Sequence, residues 1–321
     1  MRKVPAVGAA LLAAATLAGA PGTASAQLKG HYVPGFTGLQ NGSQAPPSIS
    51  LFLPVYFYTT NTIKNDDGNT VGSNPTIAAS FIGPGIAWVT NAKLVGGNWG
   101  GQVVPIAFMK SRIESNSLDV PGSFAFTDIY VQPFQLGWEE SRADFTTGWG
   151  FFLPTGKWHL GASDNSGLGM WSNDFQAGTT VRLDSKHAWT TSLLATYEIH
   201  SHKKDTDLKA GDILTLEGGT GKAFYKQVKD SPIPKITNVG VVYYGQFKLT
   251  SDTGSGPGAG ALLAGAKDRV FGAGLEGSLF LPASKLLLDL RAMPEFGARN
   301  RTQGFTFLFA LGYQAKSLVH P

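Results

Sequence analysis

The sequence contains no cysteine. Disulfides therefore contribute nothing to this fold, and thiolate nucleophiles and cysteine metal sites are excluded. Charge is also scarce. Asp, Glu, Lys and Arg make up 15% of the residues, where a soluble globular domain carries about 25%. The two signs nearly balance, with 26 Lys and Arg against 22 Asp and Glu. That balance argues against a nucleic-acid partner. Long apolar runs are missing beyond the first 20 residues. No later segment approaches the roughly 20 consecutive apolar residues of a spanning helix.

The one apolar run stands at the start. Met1-Arg2-Lys3 precedes Val4–Ala20, then Pro21, Gly22 and the small residues Ala24-Ser25-Ala26. A charged start, a short apolar core and an A-x-A site make a secretory signal peptide. Residues 1–26 are expected to be removed, with cleavage between Ala26 and Gln27. An exported chain without a spanning helix is either released or carried in a membrane by strands.

What is abundant favours strands. Glycine accounts for 41 of 321 residues, aromatics for 11%, and mean hydropathy is near zero. An all-β antiparallel transmembrane barrel has this profile, because apolar outward residues are offset by polar inward ones. Period-two alternation marks its strands. Phe305, Phe307, Phe309, Leu311 and Tyr313 fall on one side of Gly304–Tyr313. The segments Trp171–Leu183, Trp189–Ile199, Thr237–Thr250, Asp268–Leu281 and Leu286–Gly297 alternate similarly. Weaker signals cover Ser48–Thr60, Ile86–Val95, Val103–Arg112, Phe124–Trp138, Asp144–Leu153 and Asp212–Phe224. The total is about 12 strands, each of a length that suits a tilted membrane strand.

The connections alternate in length, as short periplasmic turns and longer outer loops do. Asn61–Thr76, Glu114–Ser123, Pro154–Met170, Ser201–Gly211 and Ser251–Lys267 are long. The Gly-rich stretch Gly96–Gly101, Glu139–Ala143, Asp184–Ala188 and Pro282–Lys285 are short. Tyr225–Lys235 and Ala298–Arg301 break the pattern. Trp138, Trp171 and Trp189 stand at strand ends, where aromatic girdles sit. The expected layout is a signal peptide at 1–26, an N-terminal segment at 27–47 that plugs the lumen, a barrel at 48–313 and a tail at 314–321.

Charged residues at inward strand positions are the candidate lumen lining: Asp174, Arg182, Glu198, Glu276, Asp289, Arg291 and Glu295. Asp289 and Arg291 share one strand face, which suits a polar lumen. Their structural role, as paired charges in a wet interior, outweighs direct contact with a solute. No catalytic residue, metal site or cofactor is expected. Gly254–Gly260 has no surrounding βαβ unit and contains Pro257, so it reads as a loop and not a nucleotide cradle. His200-Ser201-His202 needs a third ligand and sits beside Lys203 and Lys204, so a solvated loop is the better reading.

Three stretches carry a resemblance. They are His31-Tyr32-Val33-Pro34-Gly35 with Pro46-Pro47 and Tyr56-Phe57-Tyr58, then Gly150–Lys157, then Asp207–Glu217. With these the chain resembles the phenol meta-pathway outer-membrane proteins, the SphA-like family. The resemblance implies a transporter-like barrel for passive uptake of small hydrophobic or aromatic compounds, tied to aromatic degradation. The expected partners are the solute and, for any outer-membrane barrel, lipid and the barrel assembly machinery. Two alternatives stand: a structural or adhesive barrel that binds a partner through its outer loops, and a soluble periplasmic β-protein.

Overall fold

A computed structural model describes residues 29–71, 76–105, 107–115, 118–121, 124–160, 162, 164–229, 231, 233–255 and 267–319. The signal peptide and its cleavage site, Ala26 and Gln27, lie outside the described residues. So does most of the Gly254–Gly260 loop.

Twelve strand paths close an antiparallel barrel. The first, Ser48–Thr60, pairs along its length with the last, Phe305–Ser317, and seals the wall. The fifth to eleventh are single strands: Ala143–Leu153, Ser172–Arg182, Trp189–His200, Ile213–Lys226, Lys235–Lys248, Arg269–Leu281 and Leu286–Arg299. The soluble β-protein reading falls here, because a closed wall with an apolar exterior has no soluble counterpart in this chain. Val239, Val241, Leu275 and Leu290 face outward and are exposed, while Asp174, Thr196, Glu217 and Thr306 face inward and are buried. That polarity is inverted relative to a soluble domain and matches a surface bathed in lipid. No helix among the described residues is long and apolar enough to cross a membrane.

The second, third and fourth paths are broken. They run Thr76–Ile82 with Gly85–Leu94, Gly97–Val104 with Phe108–Ser115, and Leu118–Pro121, Ala125–Phe126 and Ile129–Glu139. Pro84 and Pro105 have no N–H to give the ladder, and prolines within sheets collect where pairing stops. Register slips at that level: Ile86 pairs with Val103, yet Ile82 pairs with Phe108.

Four boundaries differ from the sequence expectation. Gly96–Gly101 is not a turn. Only Val95-Gly96 turns, and Gly97 already begins a strand. Glycine is needed there because bulk crowds it: a Cβ on Gly97 or Gly101 would strike the Trp138 or Trp88 ring. The second path starts at Thr76 instead of Ile86. Glu114–Ser123 holds paired strand on both sides, with Arg112 opposite Pro121. The last strand continues to Ser317, so the tail is shorter than 314–321.

One rim carries short turns, the other long loops. At the short-turn rim, Trp138 Nε1 donates to the Val95 carbonyl at 2.9 Å, and the Leu318 N–H donates to Pro47 at 2.8 Å. At the long-loop rim, Ile63–Lys64, Thr70–Val71 and Arg301–Thr302 form a small sheet near the closing seam.

Candidate functional site: a lumen threaded by the N-terminal segment

The segment from Lys29 to Pro47 has almost no regular structure. Its backbone donors therefore lack ladder partners and must find others. They find inward-facing carboxylates of the wall. Starting at the short-turn rim, Ser43 Oγ donates to Asp144 at 2.6 Å. Higher up, the Leu39 N–H donates to Glu276 at 2.9 Å. The Gly35 N–H, Thr37 Oγ1 (2.6 Å) and the Tyr32 hydroxyl all donate to Glu217. The backbone N–H groups of His31 and Tyr32 donate to Glu198. Lys29 ends the climb among Arg301, Asp268, Glu295 and Lys248. Bonds to ionised acceptors are roughly twice as strong as neutral ones, so these carboxylates grip the segment along the lumen.

Shape supports the grip. A Cβ on Gly42 would lie 2.1 Å from the Thr179 backbone, so the segment touches the wall there. The Leu39 side chain fills the space left by Gly219, Gly221 and Gly240. Gly35 has φ +81° and faces Met293 and Tyr244, a conformation that favours glycine.

The long-loop end is fixed by a hub. Asp128 sits between two pieces of the broken fourth path. Its carboxylate accepts His31 Nε2 at 2.8 Å, the Gly156 N–H at 2.8 Å and the Leu168 N–H at 2.7 Å. It thus ties the segment to the loop Pro154–Trp171. The His31 ring stacks on Phe152 with centroids 4.6 Å apart. His31 Nδ1 meets Ser172 Oγ at 2.6 Å, and that hydroxyl also meets His200 Nδ1 at 2.8 Å. Asp, His and Ser in this order resemble a hydrolase triad. However, Ser172 is 0% exposed, and its hydroxyl lies between the imidazoles of His31 and His200. The cluster is an anchor. The loops above it pack Leu168, Met170, Leu208 and Ala210 together. Lys203 reaches into this cover, donating to Leu168 O at 2.6 Å. Burial lowers its pKa to about 8.

Of the sequence candidates, Glu198, Glu276 and Arg291 touch the segment directly. Arg291 pairs with Glu276 at 2.7 Å and Asp289 at 3.1 Å, and donates to Phe36 O. Glu295 serves the wall, accepting from Tyr58 and Tyr244, each at 2.9 Å. Asp174 is buried opposite Glu198 in the ladder. Arg182 lies at the short-turn rim, 2.7 Å from Asp144. Among the described residues no group of side chains is suited to a metal. His200 points inward to Ser172, while His202 stands exposed beside Asp207 at 3.8 Å.

Five site residues carried no assignment from the sequence: His31, Asp128, Asp144, Ser172 and Glu217. Glu217 shares the inward parity of Ile213 and Thr215, a signal that period two alone would have supplied. Asp128 has no such signal, because it lies where the strand stops.

The lumen and its carboxylates can be set beside known proteins. No curated protein sequence matches the chain. Among solved structures, it is similar to an outer-membrane channel of Pseudomonas putida F1. The TM-score is 0.68 at 13% identity, over 88% of this chain and 99% of that one. It is also similar to the β domain of the Bordetella autotransporter BrkA, with TM-score 0.50 at 7% identity, over 83% and 99%. At these identities the likeness speaks for the fold. A family profile matches residues 45–311, most of the barrel, and the chain belongs to the family described as the putative MetA-pathway of phenol degradation.

Proposed function

We propose that the protein is an outer-membrane channel for passive diffusion of small hydrophobic or aromatic compounds, held closed by its N-terminal segment. The observation that carries this reading is the threaded lumen. A structural or adhesive barrel has no need to hold an irregular segment against five carboxylates along its axis. Family membership supports the link to aromatic compounds. The wall behind the segment supports it too: Tyr56, Tyr58, Tyr130, Tyr244, Met293 and Leu308 line the interior among the carboxylates. Displacing the segment leaves aromatic and apolar surface that suits a flat solute. By the usual orientation of such barrels the short turns are periplasmic and the long loops external. Diffusion needs neither ATP nor metal. The plug and the lumen lining at Asp174, Arg182, Glu198, Glu276, Asp289, Arg291 and Glu295 belong to the same proposal.

The test is flux into liposomes. Glu198→Ala combined with Glu217→Ala removes acceptors for five donors of the segment, and should raise entry of phenol-sized solutes at least several-fold over the parent. Unchanged flux in a folded, inserted double variant would discard the gating segment. Equal flux of a charged sugar and an aromatic solute would discard the aromatic preference.

A further inference from the structure

The outer face of the barrel carries a groove that the channel reading does not use. It is built from two hydrogen-bonded rows that cross four strands. In one row Phe307 pairs with Phe57, Phe57 with Ser80, and Ser80 with Lys110. In the next, Phe305 pairs with Thr59, Thr59 with Ala78, and Ala78 with Arg112. The first row runs from two aromatic rings across Ser80 to a cation, the second from one ring across Thr59 and Ala78 to a cation. Small residues between bulky ones leave a trough, and it measures about 400 Å³ with an almost wholly apolar lining.

Height decides what meets this trough. The Phe108 ring packs against Phe124 and Phe126 on the outer face, with centroids 4.8 and 4.6 Å away. Such rings mark the membrane interface. Lys110 and Arg112 are the next two outward positions toward the long-loop rim. At about 3.3 Å rise per residue they stand roughly 7 and 13 Å beyond Phe108 along the strand. Cations on the lipid face are costly at the midplane and tolerated at the interface. Lys110 is exposed, without a hydrogen bond or ion pair among the described residues. Arg112 pairs with Glu114 at 3.0 Å, both about half exposed. An exposed pair of this kind holds weakly, and the guanidinium fork can add a bidentate bond to a phosphate.

We infer that this groove binds a phosphorylated glycolipid of the outer leaflet, of the lipid A type. One acyl chain lies over Ala78 and Ser80 between the Phe57, Phe305 and Phe307 rings, and a sugar phosphate sits between Lys110 and Arg112. Charge complementarity selects the anionic headgroup, and the outward trough selects a lipid over a soluble anion. The inference rests on the outer-membrane reading. Failure of that reading would appear as a chain without heat-modifiable mobility, whereas failure of the lipid site would leave mobility intact.

The test uses full-length protein in detergent, titrated with diphosphoryl lipid A and followed by its thermal midpoint. The parent should gain a clear upward shift, smaller with monophosphoryl lipid A and absent with inorganic phosphate. Lys110→Ser with Arg112→Ser should weaken binding about tenfold. Ala78→Phe fills the trough, keeps both cations and should weaken it comparably. Lys110→Arg should retain it. If the double variant does not fold, Ala78→Phe decides alone. Equal shifts in parent and Ala78→Phe overturn the inference, as does an equal shift with phosphatidylglycerol or with phosphate alone.

Discussion

At the scale of single residues, Arg291 is the most exposed to loss. It neutralises Glu276 and Asp289 and also holds the Phe36 carbonyl. Arg291→Ala strands two buried carboxylates, a defect that costs about 3–5 kcal/mol when one partner of a buried pair is removed. The unfolding midpoint in urea should fall accordingly. Asp289→Ala removes only one acceptor and should cost less. Lys203 gives a pH dependence with a definite sign. Its folded pKa of about 8 lies below the ordinary 10.5, so between those values the unfolded chain binds more protons. Stability of the loop cover therefore rises as pH climbs from about 8 toward 10.5. Protease nicking at neighbouring Lys204, measured relative to a Lys203→Met control, should decline over that range in the parent alone. Only part of this site was legible in the sequence. Acidic residues at inward parity, such as Glu198 and Glu276, follow from period two. What those carboxylates hold was not legible, because an irregular segment leaves no periodic trace and its carboxylate partners lie 97 to 237 residues away.

At the scale of elements, the strands from Ala143 onward follow their alternation closely, since each keeps one face to the lumen and one outward. The second to fourth paths do not. Pro84, Pro105 and the break at Thr127-Asp128 interrupt their period, and glycines at Gly97, Gly100 and Gly101 imitate a turn. Those glycines yield to the neighbouring Trp88, Trp138 and Gln44 side chains, a tertiary cause that local sequence does not reveal. The N-terminal segment is likewise fitted by close approach at Gly42. Gly42→Val places a branched side chain against Thr179 and should lift the segment from the short-turn rim while every carboxylate remains. Solute flux through liposomes should increase and barrel stability should change by less than in Arg291→Ala. A tightly closed Gly42→Val channel would mean that the carboxylates alone hold the segment.

At the scale of the whole molecule, stability comes from a ladder that closes on itself between Ser48–Thr60 and Phe305–Ser317. Closure pairs the first strand with the last, so the wall has no open seam between them from which to fray. Unboiled protein on a denaturing gel should run apart from boiled protein. With no cysteine in the chain, the shift should be the same with and without reductant. A single band under both conditions would deny the closed wall.

The threaded segment also changes a matter of parity. An even number of wall strands returns a chain to the side on which it began, and the first and last strands do start and finish at the short-turn rim. Yet from Pro47 back to Lys29 the chain makes one more passage, inside the wall and without joining it. Lys29 and Ser317 consequently stand at opposite mouths. Counted by crossings the molecule is odd, and the two ends of its described chain face different compartments.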